Sequence, residues 1–170
     1  AMADYDRADN YAPWFNHRND ITKAVVNSGV TTIGDDAFTS CTVMTKCQIP
    51  ETVTSIGESA FTYCKALTAI NVDAANTAYK SVDGVLFTKD GSTLVKYPEG
   101  KTATEYTIPS TVRTIGDLAF FAAENLGKVI IPDSVTAIGK ETFGNCVSLT
   151  EITIPASVKE IGAIAFLGCT

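Results

Sequence analysis

The chain has 170 residues, of which 45% are hydrophobic and 19% are charged, and its formal net charge is −6. An acidic chain lacks the basic surface by which proteins bind nucleic acid or anionic lipid, so neither is an expected partner. No apolar run approaches the ~20 residues of a membrane-spanning helix, so direct membrane insertion is not expected either.

The amino-terminal segment, residues 1–20, precedes the first repeated unit. It lacks the charged stretch and apolar run of an export signal, and its opening Ala-Met-Ala is typical of a cut from a longer protein. The segment contains the tripeptide Pro13-Trp14-Phe15. We expect Trp14 and Phe15 to cap the first turn of the fold that follows.

The remainder of the chain is built mainly from units of about 23 residues, a length typical of short solenoid repeats. Three of the four sequence intervals between successive Ile-Gly dipeptides are equal and one is longer. Valine, phenylalanine and cysteine residues recur at the same intervals, so that each forms a column of equivalent positions when the repeats are aligned. Several columns in one register indicate a solenoid, in which each unit buries its apolar edge against its neighbours. The Ile-Gly pairs begin at Ile33, Ile56, Ile115, Ile138 and Ile161.

Each unit predicts a short strand followed by a short helical turn. Ile152 and Ile154 lie two residues apart and therefore point to one side of a strand, which Pro155 ends because it has no amide hydrogen to donate. After Ile-Gly, the spacing of Phe38 and Cys41 suits one side of a helical turn.

Stacking of the units should align equivalent residues. We expect the strands that begin at Leu67, Leu126 and Leu149 to lie side by side in one parallel sheet. We also expect a buried stack of the five repeat phenylalanines, Phe38, Phe61, Phe120, Phe143 and Phe166.

An insert, residues 73–102, separates the repeats of residues 21–72 from those of 103–170. Two apolar runs within it flank Asp90-Gly91, a dipeptide suited to a turn with positive φ, so we predict a β-hairpin. Because the insert leaves and rejoins the stack at equivalent points, we expect the solenoid to survive its removal.

The last unit ends at Thr170, before another strand would begin. Solenoids need a polar cap at each end, so we expect an under-covered last turn and weak self-association through it. The residues concerned are Ile152, Ile154, Val158, Ile161 and Phe166.

The repeated string, nearly complete over residues 131–155, resembles the BspA-type leucine-rich repeat of bacterial and protist surface proteins. The resemblance implies one α/β repeat domain over residues 1–170, a right-handed superhelix of short parallel strands and short helical turns. Such proteins often carry a segment like the insert, and residues 1–20 resemble the part that leads into their first repeat. The family also implies a secreted or cell-surface location and a role in adhesion.

The residues that could support chemistry have simpler structural explanations. Four of the five cysteines, Cys41, Cys64, Cys146 and Cys169, occupy one buried column, and Cys47 replaces a strand isoleucine, so we expect free thiols. His17 is the single histidine and lies in the cap. No Cys-x-x-Cys pair is present, so we predict no metal, no cofactor and no enzyme activity.

The candidate partner-binding surface consists of outward strand positions and the insert. The outward positions fit either a solvated sheet surface or part of a broad contact surface, and the aromatic residues of the insert fit either inward packing or anchoring of a partner. The predicted contact residues are Lys23, Lys46, Gln48, Asn71, Tyr79, Phe87, Lys89, Lys96, Tyr97, Glu105, Thr107, Lys128, Glu151 and Thr153.

Two functions therefore remain open. The first is a non-catalytic module that binds a protein or glycoprotein through the solenoid surface. The second is a passive spacer that displays other domains of a larger surface protein, since a fold alone does not establish function.

Overall fold

The computed structural model describes residues 2–5 and 11–169, and nearly all of its regular structure is β-strand. A 3-10 turn, Phe15–His17, is the single helical element in these described ranges. Fourteen short strands follow in chain order: β1 Lys23–Val25, β2 Thr32–Ile33, β3 Lys46–Ile49, β4 Ser55–Ile56, β5 Ala69–Val72, β6 Tyr79–Val82, β7 Val85–Thr88, β8 Thr93–Lys96, β9 Glu105–Thr107, β10 Thr114–Ile115, β11 Lys128–Ile130, β12 Ala137–Ile138, β13 Glu151–Ile152 and β14 Glu160–Ile161.

A regular repeat contributes two strands, one to each of two sets of sheets. The first set contains the parallel sheets β1-β3-β5 and β9-β11-β13. The second set contains β2-β4 and the larger sheet β14-β12-β10-β8-β7-β6. Register partners such as Lys23 and Lys46 lie one repeat apart, which confirms the parallel-stranded solenoid predicted from the repeat spacing.

The predicted single sheet through Leu67, Leu126 and Leu149 is wrong, because a turn separates two sheets. The carbonyl of Gly84, between β6 and β7, accepts a hydrogen bond from the Ile70 amide of β5 at 2.9 Å. Gly84 has φ +79°, and a Cβ there would come within 2.8 Å of the Ala69 Cβ. Glycine is therefore required where this turn lies beside β5.

The predicted helical turns are also wrong. After Ile33-Gly34 the chain makes successive turns with positive φ at Asp36 (54°) and Ser40 (59°), and such angles interrupt a helix. Every later Ile-Gly is likewise followed by at least one residue with positive φ. The amides donate instead to the next repeat: Phe38 N to Ala60 O at 2.9 Å, and Ser40 N to Thr62 O at 2.8 Å. Hydrogen bonding between repeats thus replaces hydrogen bonding within a helix.

The phenylalanine column is buried as predicted, except that Phe166 is half-buried. It forms two stacks rather than one. Trp14, Phe38 and Phe61 stack in the first half of the chain. In the second half the stacked rings are those of Tyr97, Phe120, Phe143 and Phe166.

The predicted insert contributes core residues at both of its ends. Asn76 lies one repeat after Val53, is fully buried and donates from Nδ2 to the carbonyls of Pro50 and Val53, at 2.8 Å each. Leu94 pairs with Ile115 of β10. Tyr97 N donates to Ala119 O at 2.7 Å, just as Phe120 N donates to a backbone carbonyl of the following repeat. The expectation that residues 73–102 are dispensable is therefore not supported.

Between these ends, β6, β7 and β8 pair antiparallel. The β7–β8 turn contains Asp90-Gly91, with Gly91 at φ +79°. Because β8 also pairs parallel with β10, this antiparallel segment is continuous with the sheet of the second half.

The amino-terminal segment contacts the first repeat through Trp14. Its indole Nε1 donates to Ala37 O at 2.8 Å, and its ring stacks on Phe38. Phe15 does not share this role, because its ring stacks on that of Tyr11, with ring centroids 4.2 Å apart, and contacts the Arg18 guanidinium. Residues 1 and 6–10 of the predicted cap lie outside the described residues.

The last repeat is less covered than its neighbours, as predicted. Ile161 is 52% exposed, whereas its counterpart Ile138 in the preceding repeat is 2% exposed. Four further residues of this repeat are half-buried, namely Ile152, Ile154, Val158 and Phe166.

Candidate protein-binding face

The strand face is the outward side of the sheets β1-β3-β5 and β9-β11-β13. Successive side chains of a strand point to opposite sides of the sheet, so every second residue of each strand lies on the strand face. In β1, Ala24 is buried while Lys23 and Val25 are exposed, and in β3 Cys47 is buried while Lys46 and Gln48 are exposed. The parallel register then aligns the exposed side chains in columns across the strands.

Two such columns cross the strand face. The first contains Lys23, Lys46 and Ala69 in one sheet and Glu105, Lys128 and Glu151 in the other. The second contains Val25, Gln48 and Asn71, and then Thr107, Ile130 and Thr153. Apart from the half-buried Ala69, all of these residues are exposed.

The structure brings together most of the predicted contact residues on this face. Nine of them occupy its two columns: Lys23, Lys46, Gln48, Asn71, Glu105, Thr107, Lys128, Glu151 and Thr153.

The five predicted contact residues of the insert do not join these columns. Phe87, Lys96 and Tyr97 are 2%, 4% and 1% exposed, so they cannot contact a partner. Tyr79 is half-buried, and its hydroxyl accepts a hydrogen bond from Ile56 N at 3.2 Å. Lys89 is exposed, and its Nζ donates to Ala74 O at 3.0 Å.

The buried residues of the insert, Phe87, Lys96 and Tyr97, were placed in the contact set because their chemical type suggested a contact surface, whereas Lys89 is exposed. A signal for burial was available in the repeat spacing, since Tyr79 lies one repeat length after Ile56. The predicted contact set also omitted two exposed apolar residues of the second column. Val25 is 54% exposed and Ile130 is 38% exposed.

Shallow grooves follow the strand face. The larger, about 430 Å³, lies over the first sheet and is lined by Val25, Gln48 and Asn71, with Glu51 and Asp73 at the strand ends. A second groove of about 390 Å³ lies over the other sheet, between the side chains of β11 and β13. Such relief suits a polypeptide surface better than a small molecule, which is normally enclosed on most sides.

The buried ionisable groups lie inside the fold, away from the strand face. Lys96 Nζ lies 3.2 Å from Glu99 Oε1, and the same carboxylate oxygen accepts from Tyr63 N at 2.9 Å. Burial raises the pKa of Glu99, with Lys96 opposing the shift. These contacts join neighbouring repeats and leave no access for a substrate.

The thiols of the cysteine column contact backbone carbonyls. Cys64 Sγ donates to Phe38 O at 3.1 Å and Cys146 Sγ to Phe120 O at 3.1 Å. Burial raises the pKa of Cys41 to about 11 and that of Cys146 to about 12. Thiols held in the protonated form are poor nucleophiles, so the column is suited to packing.

The solitary histidine lies apart from these thiols. The side chain of His17 is 76% exposed, and its Nδ1 is 3.7 Å from Asp20 Oδ2. Among residues 2–5 and 11–169, no three His, Cys, Asp or Glu side chains cluster closely enough to hold a metal ion. The same residues include no helix long and apolar enough to cross a membrane.

Stacked, parallel-stranded repeats of this short and constant length define a leucine-rich-repeat type of solenoid. The chain belongs to the family described as the BspA type leucine rich repeat region, which matches in six copies over residues 11–92 and 96–170. No curated protein matches the chain.

Solved structures of bacterial leucine-rich repeat proteins share the fold. A leucine-rich repeat protein from Eubacterium ventriosum ATCC 27560 is 28% identical with a TM-score of 0.71, and the match covers 99% of this chain and 63% of that one. The pneumococcal vaccine antigen PcpA is 21% identical with a TM-score of 0.68, over 88% of this chain and 49% of that one. A leucine rich cell surface protein from Faecalibacterium prausnitzii A2-165 is 24% identical with a TM-score of 0.62, over 91% and 53%. The chain thus spans between about half and two thirds of the length of these relatives.

Proposed function

We propose that this domain is a non-catalytic module that binds a protein or glycoprotein through its strand face. The observation that carries the proposal is the pair of exposed apolar residues, Val25 and Ile130, set among polar side chains of the second column. Apolar contacts surrounded by polar ones are the usual arrangement of a protein interface. The solenoid adds an extended surface on which such contacts can be repeated.

A location outside the cell or on its surface belongs to the same proposal, together with a role in adhesion. It is supported by family membership and by the similar structure described as a leucine rich cell surface protein. The net charge of −6 favours protein partners over nucleic acid.

A passive spacer is the second candidate, and one observation favours it. Thr45 and Thr68 donate their hydroxyl hydrogens to the carbonyls of Thr22 and Thr45, each at 3.1 Å. This threonine column therefore supports the stacking of repeats, as a spacer requires. The side chains of the two contact columns do not have that role.

The experiment is a binding screen of the domain against an array of secreted and surface proteins. Each interaction found is measured again with two double variants. Gln48→Arg with Thr153→Arg places bulk and charge on the strand face, whereas Glu58→Arg with Glu160→Arg introduces the same two arginines, with a larger change of net charge, at exposed positions elsewhere. We expect the first variant to lose binding and the second to retain it.

Thermal unfolding of both variants provides the control for folding. Equal loss of binding in the two variants would contradict the proposed face. Absence of any interaction across the array would contradict the binding function and leave the spacer.

A further inference from the structure

The first column of the strand face begins with two lysines on neighbouring strands. Lys23 and Lys46 are direct register partners in β1 and β3, and both side chains are exposed. Within the described part of the chain, neither is in an ion pair. Like charges directly opposite each other destabilise a sheet, so this pair does not contribute to folding.

The same column is balanced in the second sheet. Lys128 of β11 has Glu105 on one neighbouring strand and Glu151 on the other. The contrast is marked because the protein as a whole has a net charge of −6. Positive charge on the strand face is therefore uncompensated only at Lys23 and Lys46.

The side chains next to these lysines can bind a peptide backbone. Gln48 and Asn71 are register partners in the second column, and each primary amide offers both a donor and an acceptor. Val25, the third member of that column, provides apolar contact. All three line the groove of about 430 Å³ described above, which Glu51 and Asp73 also line at the strand ends. The carboxylates of a bound acidic segment must therefore lie on the lysine side of this groove.

We propose that this half of the strand face binds an extended polypeptide segment that carries at least two carboxylate side chains. Lys23 and Lys46 pair with the carboxylates, the amides of Gln48 and Asn71 bind the segment's backbone, and Val25 contacts an apolar side chain. This inference rests on the proposed function and identifies its partner as an acidic, extended segment. Charge complementarity selects the occupant, since two adjacent free ammonium groups favour carboxylates and disfavour basic segments.

The test uses a short fluorescein-labelled peptide of alternating Glu and Thr, and a matched peptide of alternating Gln and Thr. Binding is measured by fluorescence anisotropy at several salt concentrations. We expect the Glu peptide to bind more tightly than the Gln peptide, and added salt to reduce the difference. Lys23→Gln with Lys46→Gln should weaken binding of the Glu peptide by about twofold to thirtyfold, as for two exposed ion pairs.

Lys128→Gln is the control, because it removes the one positive charge that the same column has in the other sheet. It should leave the affinity for the Glu peptide unchanged. The charge-reversed variant, Lys23→Glu with Lys46→Glu, should abolish binding. Equal binding of the two peptides, no binding of either, or an equal effect of Lys128→Gln would overturn the inference.

Failure of this inference can be distinguished from failure of the proposed function. The variant Lys23→Gln with Lys46→Gln is also tested against the partners found on the protein array. If those partners bind it normally while Gln48→Arg with Thr153→Arg abolishes their binding, the strand face binds protein without an acidic segment. If the array identifies no partner, the proposed function fails independently of the peptide result.

Discussion

The buried thiols are the residues whose titration most directly affects stability. Cys47 lies at 0% exposure in β3, and burial raises its pKa from an ordinary 9.0 to about 12. A pKa that is higher in the folded state means that the unfolded chain releases the proton first as pH rises. The stability contribution is therefore complete below about pH 9 and decreases between about pH 9 and the raised folded value.

We expect the free energy of unfolding in urea to fall between about pH 7 and about pH 10, and Cys47→Val to reduce that fall by about 1.4 kcal/mol. Burial also raises the pKa of Tyr97 and Tyr106 to about 12, so these tyrosines lower stability in the same way from about pH 10 upward, but they do so equally in both proteins, and the difference reports Cys47. Cys169→Ala removes a half-buried thiol and should change the slope less. Identical pH dependence in Cys47→Val and the wild type would show that thiol burial is not the cause.

At the scale of single strands, the two sheets of the strand face differ in charge pattern. Lys46→Glu would place a negative charge beside Lys23, as in the balanced column of the second sheet. We expect it to stabilise the domain by about 0.2–1 kcal/mol in urea unfolding. Lys128→Glu would place like charges beside Glu105 and Glu151 and should destabilise the domain by a similar amount.

Both effects should diminish as salt is added, because the charges are exposed. Shifts of the same sign in the two variants would rule out cross-strand charge as their origin.

Where the regular repeats are interrupted, the side chains of Lys96 and Glu99 take the place of backbone hydrogen-bond partners. In the first repeat, Ser40 N donates to Thr62 O of the next repeat. One repeat later, the equivalent amide of Tyr63 donates instead to the Glu99 carboxylate. On the other side, Lys96 Nζ donates to Leu118 O at 3.2 Å.

Lys96→Met alone leaves the Glu99 carboxylate buried without its cation and should destabilise the domain by about 3–5 kcal/mol. Lys96→Met with Glu99→Leu removes both charges but leaves Tyr63 N and Leu118 O without these partners. We expect this double variant to remain about 2 kcal/mol less stable than the wild type in urea unfolding. Recovery of full stability would show that the two charges merely compensate each other.

For the molecule as a whole, the constant repeat spacing predicted the stacked parallel strands and the buried columns. These features follow from period alone, because every unit must bury the same positions against its neighbours. The strand face could be derived in the same way from alternation along each strand. Its columns, including Lys46 and Glu105, lie where the spacing placed them.

The interrupted region could be derived from that period only in part. Tyr97 lies one repeat length before Phe120, on which it stacks, so its burial could have been inferred from the spacing. Leu94 is two residues out of register with its partner Ile115, so the spacing concealed that pair. Lys96 was expected at the surface because lysine is rarely buried. The carbonyl groups to which it donates depend on how the repeats pack at the interruption, which the spacing does not give. The turns after Ile-Gly were expected to be helical because the spacing of their apolar residues also fits one side of a helix. In so short a segment, this spacing does not distinguish a helix from successive turns.

Binding through the strand face is tested most directly by lysine acetylation footprinting. The domain is labelled with and without a partner recovered from the protein array, and each lysine is quantified by mass spectrometry. We expect the partner to protect Lys23, Lys46 and Lys128, and to leave Lys140 and Lys159, which are exposed but lie outside the strand face, labelled as in the free domain. Protection of Lys140 and Lys159 with unchanged labelling of Lys23, Lys46 and Lys128 would contradict binding through the strand face.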